Sequence, residues 1–457
     1  MSGIAAAPVL WPSAPGTASR PAAEIPDLGR AMHALIADLY PICRSITGDG
    51  FRQTLRRLRR IVPLDVHEVP TGTPVLDWAV PREWNIRDAY VKNSRGERVI
   101  DFQSSNLHVL NYSIPIHRTV SLAELRAHCF TLPEHPDWIP YRTSYYAEAW
   151  GFCVSQRQLD ALPEDEYEVR IDTTLKPGHL TYGELAITGA EDSAGEILIS
   201  CHACHPSLCN DNLSGVVVAT FLAQSLLAEA QQGKRRRYTY RFVFIPGTIG
   251  SITWLARNEP AVSRIKHGLV LASVGDAGHI HYKQSRRGDS EIDRAVAQVL
   301  RDSGDPYEVM PFTPYGYDER QYCSPGYDLA VGCLSRTPYA RYPEYHTSAD
   351  NLDFVRPESL ARSYATCRSI FDVLEGNATY LNLSPKGEPQ LGRRGLYSPV
   401  GGQSTEKFNE MAMLWVLNLS DGRHSLLDIA ERAGLPFVDI RHAADRVAAR
   451  GLLKEDL

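Results

Sequence analysis

The sequence lacks a strong charge bias, a long apolar segment and an even number of cysteines, and each absence argues against a class of protein. A formal net charge of −6 argues against a nucleic-acid surface, because such surfaces are rich in lysine and arginine. No apolar run approaches the roughly 20 residues that span a bilayer, so we expect no membrane partner. Nine scattered cysteines, an odd number, favour reduced thiols in a cytoplasmic protein. Arg20 is the only positive charge among the first 29 residues, which argues against a signal peptide.

The length and the changes of pattern along the chain predict several domains. A chain of 457 residues exceeds what one hydrophobic core usually serves. Residues 1–27 are rich in Ala and Pro and predict a disordered arm. Helical patterns begin at residue 28, and strand and helix patterns alternate over 183–380. We therefore expect residues 28–75 and 171–399 to form an α/β domain with a mixed sheet and helices on both faces. Short β-like pieces and frequent aromatic residues predict a β-rich insert over 76–170. Residues 400–457 have the helix–turn–helix spacing of a winged helix.

The chain is organised around residues 201–215, which read CHACHPSLCNDNLSG. Apolar residues 197–200 precede this stretch and predict a buried strand, and apolar residues 216–222 follow it and predict a buried helix. Histidines and a carboxylate between a strand and a helix are typical of a metal site at the carboxyl edge of an α/β sheet.

Four groups of polar residues follow predicted strands of the α/β domain. They are His205 with Asp211, then Asp276, then residues 318–321 (Asp-Glu-Arg-Gln), then residues 344–350 (Glu-Tyr-His-Thr-Ser-Ala-Asp). Because the carboxyl ends of neighbouring strands meet at one edge of such a sheet, we expect these groups to converge. Two imidazoles and two or more carboxylates suit one or two zinc ions with an open position for water. Such an ion would lower the pKa of that water and polarise a substrate carbonyl.

These motifs resemble those of the co-catalytic zinc aminopeptidases, the clan that also holds glutamate carboxypeptidase and glutaminyl cyclase. The matching segments are Asp-Asn-Leu-Ser-Gly at 211–215 and His-Thr-Ser-Ala-Asp at 346–350. More narrowly, the chain is similar to a bacterial family of aminopeptidase-like proteins linked to polysaccharide or natural-product gene clusters, through residues 204–207, 247–251 and 318–322. The resemblance covers nearly all of the chain from about residue 30 onward, including the β-rich insert and the winged-helix tail.

The resemblance implies a role for each candidate ligand. Asp211 would bridge two zinc ions or hold one. His205 and Asp276 would complete the first position, and His346 would serve the second. Asp350 would orient a ligand without touching the ion.

One departure from the resemblance affects the proton-transfer step. The aminopeptidases carry two glutamates after the strand equivalent to residues 240–245, one as general base and one as zinc ligand. Here these places hold Gly247 and Thr248, which cannot take over either role. We expect Glu319 or Glu344 to be the catalytic base instead. Each of these could also be an ion-pair partner of a nearby arginine, Arg320 or Arg341.

Substrate contacts are predicted on two segments. Lys283 and Arg286 follow Asp276 in sequence and could hold a substrate carboxylate or phosphate by charge-assisted hydrogen bonds. Tyr145, Tyr146 and Trp150 of the insert could form the facing wall. The alternatives are a solvated loop for the basic residues and a small hydrophobic core for the aromatic ones.

The central stretch allows other interpretations. His202 could replace His205 as the ligand, since the spacing does not decide between them, and we favour His205 for its Cys-His-Pro-Ser context. Cys201, Cys204 and Cys209 could form a structural zinc site with a histidine, or one of them could be a nucleophile. Residues 211–212 could simply cap a helix, which is compatible with a ligand role.

These observations predict a zinc-dependent hydrolase of the aminopeptidase type. We expect it to cleave an amide bond in a small peptide or an aminoacyl or acyl-amide metabolite, and to form a homo-oligomer. One alternative is a biosynthetic tailoring enzyme that uses the same zinc centre for amide exchange or cyclisation, and another is a non-catalytic binding or scaffold protein. We do not expect the winged helix to bind nucleic acid, because its arginines are offset by aspartates.

Overall fold

The computed structural model describes residues 24–396 and 409–456. Backbone contacts divide them into two compact units, one of residues 29–371 and one of the described residues within 1–28 and 372–457. The described helices are α1 Glu24–Leu39, α2 Asp49–Leu58, α3 Leu122–Ala127, α4 Gln156–Asp160, α5 Gly215–Gln231, α6 Ile249–Val262, α7 Glu291–Ser303, α8 Glu319–Tyr322, α9 Pro357–Gly376, α10 Glu410–Leu419, α11 Leu426–Ala433 and α12 Phe437–Ala448. Most of the predicted arm, 1–27, lies outside the described residues, and α1 begins within its last part.

Nineteen strands lie in the described residues. They are β1 Asp65–Pro70, β2 Pro74–Val75, β3 Trp78–Ala79, β4 Glu83–Lys92, β5 Arg98–Asp101, β6 Ile116–Ser121, β7 Cys129–Phe130, β8 Phe152–Cys153, β9 Glu166–Lys176, β10 His179–Ile187, β11 Glu196–His202, β12 Thr239–Ile245, β13 Ile265–Leu271, β14 Ile280–Lys283, β15 Tyr307–Met310, β16 Val331–Ser335, β17 Thr379–Asn382, β18 Asp421–Ser425 and β19 Leu453–Glu455.

An eight-stranded mixed sheet forms the centre of the larger unit, in the order β1-β10-β12-β11-β13-β16-β14-β15. Its four central strands, β12, β11, β13 and β16, run parallel, and the flanking pairs β10–β12 and β14–β16 are antiparallel. Every residue of β11 is buried, as expected for a strand covered on both faces. The parallel run brings the carboxyl ends of four strands to one edge. Three of the predicted polar groups follow strands of this run, namely β11, β13 and β16, whereas the group at 318–321 follows β15, which runs in the opposite direction.

Helix α5 follows the central stretch and packs against β11 and β13. With the turn before it, Cys209–Gln231, it is long and apolar enough to cross a membrane by length and composition alone. This corrects the expectation that no apolar run approaches that length. Val216, Val217 and Leu222 are fully buried within the fold, which is the pattern of a core helix, whose composition is apolar nearly all round.

A second, antiparallel sheet in the order β5-β4-β9-β6 forms most of the predicted β-rich insert. Alternate residues of β9 are buried, including Tyr167, Val169 and Ile171, so one face of this sheet covers its own hydrophobic core. Trp150 belongs to that core and stacks on His128, with ring centroids 3.6 Å apart. Strand β9 continues to Lys176, past residue 170, and the limits of the insert stay a prediction.

The smaller unit contains a winged-helix arrangement. Strands β18, β17 and β19 form a three-stranded antiparallel sheet beside α10, α11 and α12. Ser425 and Asp428 form the capping box that begins α11, and Gly434 ends this helix at a φ of 65°. On α12, Arg441 pairs with Asp445 at 2.9 Å. The sequence prediction of α11 and α12 depends on such local signals, and both helices are present.

Candidate metal centre

Three imidazoles surround the buried carboxylate of Asp211. The Nε2 atoms of His202 and His346 each lie 2.9 Å from an Asp211 oxygen, His202 at Oδ1 and His346 at Oδ2. The Nδ1 atom of His205 lies 3.9 Å from Oδ2. The structure therefore brings together three predicted site residues, His205, Asp211 and His346, although His205 and His346 are 141 positions apart in the sequence. His202 joins them.

The topology explains this convergence. His202 is the last residue of β11, and Asp211 lies in the turn before α5. His346 lies in the segment between β16 and α9, where its carbonyl accepts a hydrogen bond from the Tyr141 N–H at 2.7 Å. The Tyr141 ring meets the rings of both His205 and His346 edge-on, with centroids 5.1 Å away in each case. The sheet thus positions His202, and Tyr141 of the insert contacts His205 and His346, so both parts of the fold keep the three imidazoles close together.

Asp350 holds the turn that carries Asp211. Its carboxylate accepts hydrogen bonds from the N–H groups of Asn210 at 2.5 Å and Asp211 at 2.9 Å, and its carbonyl accepts the Cys209 N–H at 3.0 Å. Burial raises the pKa of Asp350 to about 8, against the opposing effect of these hydrogen bonds. This contact is to the backbone of Asp211, which fits the predicted orienting role.

The electrostatics of the site favour an ionised carboxylate beside a neutral imidazole. Burial alone raises the pKa of Asp211, but the surrounding imidazoles of His205, His202 and His346 outweigh it and hold the pKa well below its usual range. Burial lowers the pKa of His205 well below its usual range. His205 Nδ1 is buried and makes no hydrogen bond with any residue that the structure describes. A buried nitrogen of this kind needs a partner.

The donor set fits a zinc ion. One ligand atom from each of His202, His205 and Asp211 lies within 4.8 Å of the others. Two imidazoles and a carboxylate are a common protein ligand set of catalytic zinc sites, which leave a fourth position open. An ion there would also give His205 Nδ1 its missing partner. In a second group, His279, His281 and Glu308, one ligand atom from each residue also lies within 4.8 Å of the others, but His279 is exposed.

Asp276 is engaged elsewhere. Its carboxylate accepts hydrogen bonds from Gly278 N at 2.7 Å, Thr337 Oγ1 at 2.6 Å, Thr337 N at 3.2 Å and Asn210 Nδ2 at 2.9 Å. Within the described residues it belongs to neither ligand group. The structure thus does not bring this predicted ligand to the three imidazoles. It ties the segments after β13 and β16 to the residue preceding Asp211.

The two predicted bases are not equivalent in the structure. Glu319 forms an ion pair with Lys283 at 2.5 Å, and the two side chains are only 1% and 9% exposed. Lys283 also donates to the carbonyls of Thr313 and Tyr315. The predicted base and the predicted substrate-binding lysine therefore neutralise each other's charge. Glu344 is half-buried, and its side chain makes no hydrogen bond or ion pair with the described residues.

A cavity of about 330 Å³ opens beside the imidazoles. Its lining residues are Ile46, Trp78, Tyr145, Tyr146, His202, Cys204, His205, Gly247, Thr248, Ile249, Ile252, Tyr315, Gly316, Tyr317, Asp318, Arg320 and Tyr345. The predicted residues Tyr145 and Tyr146 are among them. Trp150 lies in the insert core, and Arg286 forms an exposed ion pair with Asp328 at 2.9 Å, so neither lines the cavity.

Asp318 belongs to one of the four predicted polar groups, but its sequence context assigned it no role of its own. It lines the cavity, and its Oδ1 accepts hydrogen bonds from Thr248 N at 2.7 Å and Ser251 Oγ at 2.8 Å. It is thereby bound to the segment that lacks the glutamate pair of the aminopeptidases. Burial raises the pKa of Asp318, although the charge of His202 opposes this shift. The adjacent acidic residues at 318–319 indicated a candidate base in the sequence, and Glu319 was chosen from them. In the structure the first of the two, Asp318, lines the cavity.

Comparison with known proteins places the chain in a family. The sequence profile described as Domain of unknown function (DUF4910) matches residues 33–377. The chain belongs to the DUF4910 family. A winged helix-turn-helix profile matches residues 378–455, which includes β17, located before the predicted boundary at residue 400.

Relatives of this DUF4910 protein support the predicted fold. A Clostridium acetobutylicum protein named as a candidate polysaccharide biosynthesis protein with an aminopeptidase-like domain is 52% identical over 428 residues, covering 94% of this chain and 97% of the relative. The crystal structure of a candidate peptidase from Clostridium acetobutylicum matches with a TM-score of 0.89 and 50% identity, covering 95% of this chain and 98% of that one. A Bacillus subtilis zinc aminopeptidase matches with a TM-score of 0.54 and 12% identity, covering 75% and 94%. The predicted aminopeptidase-like fold and winged helix are confirmed.

The cysteine alternatives find no support in the geometry of this DUF4910 domain. Among the described residues, neither group of possible metal ligands contains a cysteine. Cys204 lines the cavity, but burial raises the pKa of its thiol to about 12, and its sulfur accepts the Gly247 N–H at 3.2 Å. A protonated thiol is a poor nucleophile and a poor ligand.

Arg44 shapes the segment that carries His205. Its buried guanidinium donates to the carbonyls of His205, Pro206 and Leu39, each at 2.7 Å. We expect Arg44→Lys to lose part of these three hydrogen bonds and to lower the free energy of unfolding by about 2–4 kcal/mol. We also expect it to weaken zinc binding about 10–100-fold. Urea unfolding and zinc titration measure these effects, with the exposed Arg87→Lys as control. Unchanged zinc affinity would show that Arg44 serves stability alone.

Proposed function

We propose that this protein is a zinc-dependent hydrolase of the aminopeptidase type, which cleaves an amide bond in a small peptide or an aminoacylated metabolite. The observation that carries this proposal is the convergence of His202, His205 and His346 on the carboxylate of Asp211 beside a cavity. The likeness of the fold to that of a Bacillus subtilis zinc aminopeptidase supports it. We place the protein in the cytoplasm, where its nine free cysteines stay reduced.

The residues present would hold one ion. His202, His205 and Asp211 would supply its three protein ligands, because Asp276 and the Gly247–Thr248 segment add none. When bound, zinc polarises an amide carbonyl and makes a water molecule a stronger nucleophile at neutral pH. His346, which the resemblance assigned to a second zinc position, lies on the other carboxylate oxygen and would instead hold Asp211 in place. Asp350 fixes the backbone of the same turn.

Asp318 would move the proton in this reaction. Both hydrogen bonds to its carboxylate from Thr248 and Ser251 go to Oδ1, so Oδ2 is left for the reacting groups in the cavity. It would take a proton from the attacking water and give it to the leaving amine, the role of a general base and then acid. Burial raises the pKa of Asp318, which makes the carboxylate a stronger base.

Zinc content and hydrolysis test the proposal. Protein purified without chelator should contain about one zinc ion per chain and should hydrolyse at least one member of a panel of aminoacyl and acyl arylamides. Chelation should abolish this hydrolysis, and added zinc should restore it. A protein that never contains metal, or one that hydrolyses the same substrates after exhaustive chelation, would refute the proposal.

A second candidate function is biosynthetic tailoring, in which the same centre exchanges or cyclises an amide. The loss of the usual glutamate pair at Gly247 and Thr248 favours it, as does the name of the relative from Clostridium acetobutylicum. Acyl-amide sugars offered together with free amines would yield a new amide in that case, and would yield only the acid and the amine from a hydrolase. Homo-oligomer formation and the absence of a membrane partner stay predictions.

A further inference from the structure

Arg320 is a cavity-lining cation that no carboxylate among the described residues neutralises by direct contact. Its Nε atom is buried and makes no hydrogen bond with any described residue, and none of these residues forms an ion pair with its guanidinium. Its ring contact is with Tyr315, whose centroid lies 5.8 Å from the guanidinium carbon. A buried donor without a partner costs about 1–3 kcal/mol, so a binding partner for Nε would recover free energy.

The other basic groups near this part of the chain are already paired. Lys283 is held by Glu319, and Arg286 and Arg287 are held by Asp328 at 2.9 and 3.3 Å. The two basic residues that the sequence analysis assigned to the substrate therefore have internal partners. In the described part of the chain Arg320 has no such partner, although it lies one position after a glutamate and two after an aspartate.

Exposed aromatic rings lie on the same cavity. Tyr315 is 67% exposed, Tyr146 is 55% exposed and Trp78 is 44% exposed. Trp78 and Tyr146 also contact each other, with ring centroids 5.3 Å apart. Large exposed rings around a cavity are typical of a surface that receives the apolar or ring-shaped part of a ligand.

We propose that Arg320 binds an oxyanion, a carboxylate or a phosphate, on the part of the substrate that does not react, while the aromatic rings receive the group attached to it. Nε and a terminal nitrogen of a guanidinium form a planar fork that matches either oxyanion with two hydrogen bonds. This inference relies on the proposed function only in treating the cavity as the substrate site.

Binding of small probes tests this inference without any need for turnover. Ligand-observed NMR on the full-length protein compares phenylacetate, phenyl phosphate and the neutral phenylacetamide, both as purified and after zinc removal. Wild-type protein should bind at least one anionic probe about tenfold more tightly than the amide in both preparations. The tighter of the two anions identifies the carboxylate or the phosphate as the preferred group.

Arginine variants connect that preference to one side chain. Arg320→Gln should lose the preference for anions, Arg320→Lys should keep part of it, and Arg87→Gln, which removes an exposed arginine paired with Asp172, should match wild type. Equal preference in Arg320→Gln and wild type would overturn the inference, as would absence of saturable anion binding at about 10 mM. Arg320-dependent binding by a protein that hydrolyses nothing would leave this inference standing while the hydrolase proposal fails.

Discussion

Asp211→Asn is expected to remove zinc from the protein and to reduce amide hydrolysis by about 100-fold or more. The carboxylate of Asp211 is the common partner of His202 and His346 and lies 3.9 Å from His205. An amide of the same size carries no negative charge, and its NH₂ group would face an imidazole nitrogen. Both changes disfavour a cation. Zinc per chain, measured after dialysis, and the rate of arylamide hydrolysis report the effect.

Two controls sharpen this prediction. Zinc should be counted in a His281→Ala background, because His279, His281 and Glu308 form a second group of possible ligands. Asp276→Asn should retain the zinc that Asp211→Asn loses, since Asp276 contacts Asn210, Gly278 and Thr337. Full zinc content in Asp211→Asn, or loss of zinc in a folded Asp276→Asn protein, would reverse our assignment of the ligands.

Asp318→Asn is expected to lower kcat by about 10²–10⁴-fold while zinc content and the unfolding midpoint stay near wild type. An asparagine can still accept hydrogen bonds from Thr248 and Ser251 through its side-chain oxygen, so the local structure should survive. It cannot take up a proton. Steady-state kinetics, normalised to bound zinc, measure the change. Wild-type turnover in this variant would assign the proton transfer to another group.

Glu319→Gln is the matched comparison, because it changes the next residue in the same run. It leaves the buried Lys283 without its carboxylate, and we expect a loss of about 3–5 kcal/mol in the free energy of unfolding. The folded fraction should retain most of its activity per zinc, since Glu319 does not line the cavity. A stable Glu319→Gln protein with a larger fall in kcat than Asp318→Asn would make Glu319 the base, which is one of the two bases expected from the sequence.

The location of the site could be predicted because it depends on local pattern. Continuous apolar residues mark β11 as a buried strand. The motif at 211–215 contains an aspartate, and the motif at 346–350 contains a histidine and an aspartate. Parallel strands place their carboxyl ends at one edge, so the convergence of Asp211 and His346 follows from the topology. The limits of the domains depend on long-range pairing, as β17 shows by joining β18 and β19.

The sequence by itself determined the strand–helix alternation, the winged helix and the types of residue available for a metal site, because periodicity and turn chemistry are local properties. Only the tertiary structure decided which surroundings each carboxylate has. Asp318 and Glu319 are adjacent, but successive residues at the start of a helix point in directions about 100° apart. One side chain therefore lines the cavity, and the other meets Lys283, which reaches it from β14. Such pairings join residues distant in sequence, so no local pattern predicts them.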